Sequence, residues 1–198
     1  KKSNYVFLAK YDALTGEHLW SGNWAPPGRP GFVNDPNSAA ALVIAGDRVI
    51  FGGNTMPEID FGLGPHPSGD GGVHGFLAVF DLEGNALWSK ALEMEGASDQ
   101  SFVLEFSNTS EGDLMVLMHS GLNSGTSVVE LRRYNTANGE LLATLDLGTA
   151  RFNTGYPKAM VVDAEGIVTL SFSLHFEVTL DGVSMDTAGF SDILLRRV

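Results

Sequence analysis

Apolar and polar residues alternate with a period of two through much of the chain, and the alternation breaks where Gly stands beside Asp, Asn or Glu. The stretches "AALVIAGDRVIFGG" (40–53), "SFVLEFSNTSEGDLMVLMHS" (101–120) and "KAMVVDAEGIVTLSFSL" (158–174) each hold two such runs of Val, Leu, Ile and Phe. Alternation of this kind places every second side chain on one face of a strand, and an acidic-Gly pair between two runs turns the chain back on itself. Hairpins are therefore predicted at Gly46-Asp47, Glu111-Gly112-Asp113 and Ala164-Glu165-Gly166.

A second kind of hairpin recurs. "FLAKYDALTGEHLW" (7–20) returns as "FLAVFDLEGNALW" (76–88), so that Phe7, Leu8, Ala9, Asp12, Gly16, Leu19 and Trp20 find like residues at Phe76, Leu77, Ala78, Asp81, Gly84, Leu87 and Trp88. "ELRRYNTANGELLATL" (130–145) keeps Tyr134, Asn135 and Gly139, and "DILLRRV" (192–198) starts a further copy. Each unit is predicted to hold four antiparallel strands, one hairpin of each kind. Tandem four-stranded units that bury their faces only against their neighbours are the building plan of a β-propeller.

The expected fold is thus all-β and of β-propeller type, with tandem four-stranded antiparallel blades, about three repeat units and incomplete end blades. Its approximate limits are 1–36 (partial), 37–97, 98–157 and 158–198 (partial), within a single body over 1–198 of about thirteen strands. The stretches "IDFGLGPHPSGDGGVHG" (59–75) and "VTLDGVSMDTAGFS" (178–191) are expected to be long connections. Closed propellers hold four to eight blades, so such a chain is expected to be a segment of a longer propeller or to complete a ring with another chain, the alternative being a compact four-bladed body with incomplete end blades whose edges are protected.

The stretch 59–92 resembles the bacterial β-propeller repeats known as SBBP repeats. It carries an Asp-Phe-Gly turn at Asp60, Phe61 and Gly62, the Gly-rich loop "SGDGG" (68–72), a strand from Phe76 to Asp81, and Gly84, Asn85, Leu87 and Trp88. The third unit departs from the pattern, lacking the Asp-Phe-Gly turn and shortening the connection to "GLNSGTS" (121–127). "YDALTGEHLW" (11–20) is also similar to repeats of the pyrroloquinoline-quinone propellers, where such a hairpin packs blade against blade. Both resemblances imply a scaffold, and the first implies export to the cell surface, the extracellular space or the periplasm. Neither implies a chemistry.

Composition narrows the partners. With 24 Asp and Glu against 12 Lys and Arg, the net charge of -12 repels a phosphate backbone, and nucleic acid is not an expected partner. No apolar run is long enough for a membrane-spanning helix. The absence of Cys removes disulfides, Cys-bound zinc and thiol catalysis. The opening "KKSNYVFLAK" lacks the apolar core and cleavage site of an intact secretory signal, which still leaves room for the chain to be the mature or excised part of a longer exported protein.

Candidate sites sit in loops. Trp20 and Trp88 occupy equivalent repeat positions and are expected to pack between units. Trp24, Arg29 and Phe32 share the Pro/Gly-rich stretch "GNWAPPGRPGF" (22–32), where an aromatic loop with a basic residue could meet a sugar or a peptide. His66, Asp70 and His74 share another loop and form a candidate cation site, while Asp60 and Asp181 are expected to bond backbone amides in turns. No cofactor is expected, with calcium across the acidic loops as the alternative.

The chain has no Gly-x-Ser-x-Gly elbow, phosphate-binding Gly-rich loop or His-Glu-x-x-His pair. The expectation is a non-catalytic exported scaffold that binds a protein, a glycan or further copies of itself through loops at 22–37, 54–75 and 176–191. The alternatives are a segment of a quinone-dependent dehydrogenase and a purely structural spacer or assembly module.

Overall fold

The computed structural model describes residues 6–25, 38–55, 58–66, 72–94, 100–120, 127–150, 157–174, 177–180, 183–186 and 192–197. The protein is all-β. Its strands in chain order are β1 (Val6–Tyr11), β2 (His18–Trp24), β3 (Ser38–Ala45), β4 (Arg48–Thr55), β5 (His74–Asp81), β6 (Ala86–Leu92), β7 (Ser101–Asn108) and β8 (Leu114–Ser120). They continue with β9 (Ser127–Tyr134), β10 (Leu141–Ala150), β11 (Pro157–Val162), β12 (Val168–Leu174), β13 (Glu177–Leu180), β14 (Val183–Asp186) and β15 (Asp192–Arg197).

Strands β3 to β6 form one antiparallel meander and β7 to β10 another. The two meanders join through a single parallel pair, His74 with Ser101. β1 and β2 pair as a two-stranded sheet, and β11, β12 and β15 as a three-stranded one. The connection expected over 178–191 departs from expectation: β13 and β14 pair as a hairpin that extends β10 through Gly148, Thr149 and Ala150. The described residues alone thus hold fifteen strands, two more than the expected thirteen or so. Among the described residues the sheets do not close into a ring: β3 to β10, β13 and β14 join into one open sheet.

Three of the hairpins share two backbone features. The first strand of each inner hairpin carries a register shift at the same place, between Ala39 and Ala41, Val103 and Glu105, and Pro157 and Ala159. Each such hairpin then turns through a glycine of positive φ, Gly46, Gly112 or Gly166.

Packing explains why the central strands read as nearly unbroken apolar runs. In β5, Phe76, Ala78 and Phe80 face one cluster with Val6, Leu8, Val49, Phe51, Ile59 and Phe61. Leu77 and Val79 face the other, which holds Ile50, Val103, Phe106, Leu114, Leu117 and Met118 and extends to Met160 and Leu170. A strand sandwiched on both sides needs apolar residues at both phases of its alternation. The meander β3–β6 is thus the middle layer, with β1–β2 on one side and β7–β10 on the other.

The outer hairpins are fastened between layers by a recurring contact. Asp81 accepts from the amides of Glu83 and Asn85, which tightens the turn and exposes the carbonyl of Leu82. The Trp20 indole N–H donates to that carbonyl at 3.0 Å, and Lys10 Nζ donates to it at 2.7 Å. One layer on, the Trp88 indole donates to Thr136 O at 2.9 Å, as does Arg48 at 2.7 Å. Each indole lies flat against the turn glycine, and a Cβ on Gly84 or Gly139 would stand 2.8 or 3.0 Å from the ring.

Gly16 and Gly139 adopt nearly the same left-handed φ, 73° and 72°, but a Cβ on Gly16 would meet nothing within 4 Å. Gly16→Ala is expected to cost about 1–2 kcal/mol for the left-handed backbone alone. Gly139→Ala should cost at least ~1 kcal/mol more, because the Trp88 ring must also move. Urea unfolding of both variants measures the difference; equal losses would mean the indole does not press on the turn.

His119 in β8 is fully buried and stacks on Phe102 with ring centroids 5.0 Å apart. Burial pushes its pKa down from 6.5 to about 4, against the opposing bond to the Ser120 backbone. The unfolded chain therefore takes up this proton first, and stability is complete above pH 6.5 and falls as the pH drops toward 4. The loss from this residue reaches about 3 kcal/mol, and His119→Leu should remove it, read as a flatter unfolding free energy between pH 7 and pH 4.

Candidate functional site

The residues singled out in the sequence take separate roles. Trp24 ends β2 and lies against Phe61 and Phe80, with centroids 5.3 and 5.2 Å away, so its ring is part of the packing between the first two layers. Arg29 and Phe32 lie outside the described residues, as does Asp70. His66 Nε2 meets Ser89 Oγ at 2.9 Å, whereas His74 Nδ1 meets Ser101 Oγ at 3.3 Å, so the two histidines serve different neighbours. Among the described residues, no three His, Asp or Glu side chains come together as a metal site.

The turn before His66 is tightly bound. Asp60 Oδ1 accepts from the amides of Gly62, Leu63 and Gly64 at 2.7, 3.1 and 3.0 Å, and the His66 amide donates to Ile59 O at 2.9 Å. Phe61 drops from this turn into the core against Phe76, 4.9 Å between centroids. The anchored turn delivers His66 to the face of β6, where it meets Ser89.

There it borders a cleft of about 490 Å³ between β6 and the strands β9 and β10. His66, Ser89, Lys90, Glu93, Arg132 and Tyr134 supply its polar and aromatic lining. Arg132 donates to Glu130 Oε2 at 2.8 Å and to the Glu93 carbonyl at 2.7 Å. Burial opposes the charge on Arg132, but Tyr134 and Glu130 outweigh it and hold the pKa above its usual value. Burial also raises the Tyr134 phenol, against the pull of Arg132. Lys90 donates to Gly139 O at 3.2 Å and lies 5.6 Å over the Tyr134 ring.

Burial lowers the pKa of His66, only partly offset by the charge of Asp60, so the imidazole is neutral near pH 7. A serine hydroxyl 2.9 Å from a neutral imidazole has the spacing of a nucleophile and its base. Among the described residues no third member of such a set reaches the ring: His66 Nδ1 is buried without a hydrogen-bond partner there, and Asp60 Oδ1 holds three backbone amides. The cleft can offer a ligand hydrogen bonds from Ser89 and His66 and a cation paired with Glu130.

Ser89, Lys90, Arg132 and Tyr134 were not singled out as site residues in the sequence. Their signal was the repeat alignment, which puts Ser89 and Lys90 just after Trp88 and Tyr134 just before Asn135, but only packing brings the two stretches together. Among the described residues no helix is long and apolar enough to cross a membrane. Comparison with protein-family models and with curated proteins finds no match.

The two neighbouring arginines should differ sharply. Arg132 and Glu130 have side chains only 10% and 16% exposed. Arg132→Ala strands Glu130 and the Glu93 carbonyl and is expected to cost about 2–4 kcal/mol. Arg133 pairs with Asp113 and with the exposed Glu111 where solvent screens the charges, so Arg133→Ala should cost far less than Arg132→Ala. Denaturant melts of both variants at low and high salt decide it, and only the Arg133 effect should fade with salt.

Proposed function

We propose that this chain is a non-catalytic scaffold of β-propeller type, assembled from stacked four-stranded units, that serves recognition or assembly at or outside the cell surface. The observation that carries the reading is the twice-repeated indole contact, Trp20 on the Leu82–Gly84 turn and Trp88 on the Thr136–Gly139 turn. A contact repeated at one position in successive layers is what a stack of like units requires, and it leaves the loops and clefts between units free to differ. The resemblance of residues 59–92 to SBBP repeats supports the propeller arrangement and export, with a protein, a glycan or a further repeat unit as partner.

The non-catalytic character rests on the site chemistry. Among the described residues no carboxylate orients His66 toward Ser89, and the cleft's buried cation is already matched by Glu130. The partner-binding role falls to surfaces between or beside units.

A stack of units predicts local consequences. Trp20→Ala should raise hydrogen exchange in β1 and β2 while leaving β7 to β10 protected, whereas Trp88→Ala should loosen the junction of β6 with β9 and β10. Uniform acceleration over the whole chain in both variants would instead indicate one cooperative body and remove the support for modular stacking. A fluorophosphonate probe should leave Ser89 unlabelled, and stoichiometric labelling would overturn the non-catalytic reading.

A further inference from the structure

We propose that the cleft between β6 and the strands β9 and β10 is a sugar site, which takes a neutral pyranose ring of a glycan and holds its hydroxyls on Lys90, Ser89 and Arg132. The inference rests on the recognition reading above and names the ligand of that cleft.

The evidence is a difference between two successive interfaces inside the chain. The repeat alignment sets Trp24 against Leu92, and Phe76, Ala78 and Phe80 against Glu130, Arg132 and Tyr134. At the first interface two aromatic rings plug the space between layers. Trp24 enters from the end of β2 and Phe61 from the Asp60 turn, with centroids 5.3 Å apart, and both lie against Phe80. Neither plug recurs in the sequence at the second interface. Leu92 stands in the place of Trp24, and the third unit's connection "GLNSGTS" (121–127) has no Asp-Phe-Gly turn.

Apolar residues would close such a gap at little cost, yet the gap here is polar. Its volume of about 490 Å³ lies inside the range of roughly 300–1,000 Å³ that ligand pockets occupy. In β9, Glu130 and Arg132 replace Phe76 and Ala78 and pair at 2.8 Å. Exchanging a buried ion pair for well-packed apolar residues is often no loss to stability, so packing alone gives no reason for this pair.

Charge selects the class of ligand. Lys90 and Arg132 stand against Glu93 and Glu130, so the cleft and its supporting carboxylate carry no net charge in a chain of net charge -12. An anion would meet two carboxylates, and a cation would meet an ammonium and a guanidinium. A hydroxyl both donates and accepts, so it can use groups of either sign. The Lys90 ammonium has three donors, of which Gly139 O takes one. Arg132 is already fixed by Glu130 and the Glu93 carbonyl, so little ordering is needed when a ligand arrives. Ser89 and His66 add a hydroxyl and an imidazole, and the exposed Leu141 adds an apolar wall. A pyranose, with hydroxyls at its rim and C–H groups on its faces, matches a space that aromatic rings fill one interface earlier.

The test titrates the isotope-labelled whole chain with glucose, galactose, mannose, xylose, fucose and N-acetylglucosamine and follows backbone amide shifts. At least one of them should shift the amides of Ser89, Lys90 and Arg132 saturably in the millimolar range. The matching amino sugar and uronic acid should each bind at least about fivefold more weakly, because each meets a like charge in the cleft. Lys90→Met should weaken binding by about tenfold or more and Ser89→Ala by about threefold or more, with a native amide spectrum showing that each variant is folded. No saturable shift with any of these sugars, equal affinity in both variants, or tighter binding of the uronic acid would overturn the proposal. So would triglycine shifting the same amides where the sugars do not, because the cleft would then read a peptide. Failure here, with exchange still localised in the Trp20 and Trp88 variants, would leave the stacked scaffold standing and move its binding role to another surface.

Discussion

The arrangement depends on one contact: an indole laid flat on a glycine that no other residue could replace without strain. Gly84 and Gly139 have φ of 89° and 72°, a backbone that disfavours any side chain, and the indole fills the space a Cβ would need. The adjacent carbonyl, pushed outward by the turn, receives the indole N–H and a cation from the same neighbouring layer, Lys10 at Leu82 and Arg48 at Thr136. Apolar contact, hydrogen bond and charge converge on one tight turn, which fixes how one layer sits on the next. The apolar faces of β4, β5 and β8 can then be buried on both sides.

The cleft beside His66 follows from this fastening. Trp88 draws the β9–β10 turn toward β6, and the two layers diverge around Lys90, Arg132 and Tyr134. The polar groups left in the gap pair with one another, Arg132 with Glu130 and Ser89 with His66.

Much of this was legible in the chain. The hairpin turns at Gly46, Gly112 and Gly166 stand where the acidic-Gly pairs predicted, and Trp20 and Trp88 pack between layers as their equivalent positions implied. What escaped was set by neighbours distant in sequence. β13 and β14 are short, and their polar surroundings read as a connection until β10 gave them an edge to pair with. Trp24 sat in a Pro/Gly-rich stretch that suggested a ligand loop, yet Phe61 and Phe80 draw its ring into the packing. His66 was grouped with Asp70 and His74 by nearness along the chain; its contact with Ser89, set by the Asp60 turn, was not visible there.

The most direct test of the indole fastening is a nuclear Overhauser measurement on the folded chain, reading contacts from the indole protons of its three tryptophans. The account predicts strong contacts from the Trp20 ring to the α protons of Gly84 and from the Trp88 ring to those of Gly139, with both indole N–H protons slow to exchange. Rapidly exchanging indole protons at Trp20 and Trp88, with no contact to either glycine, would contradict it.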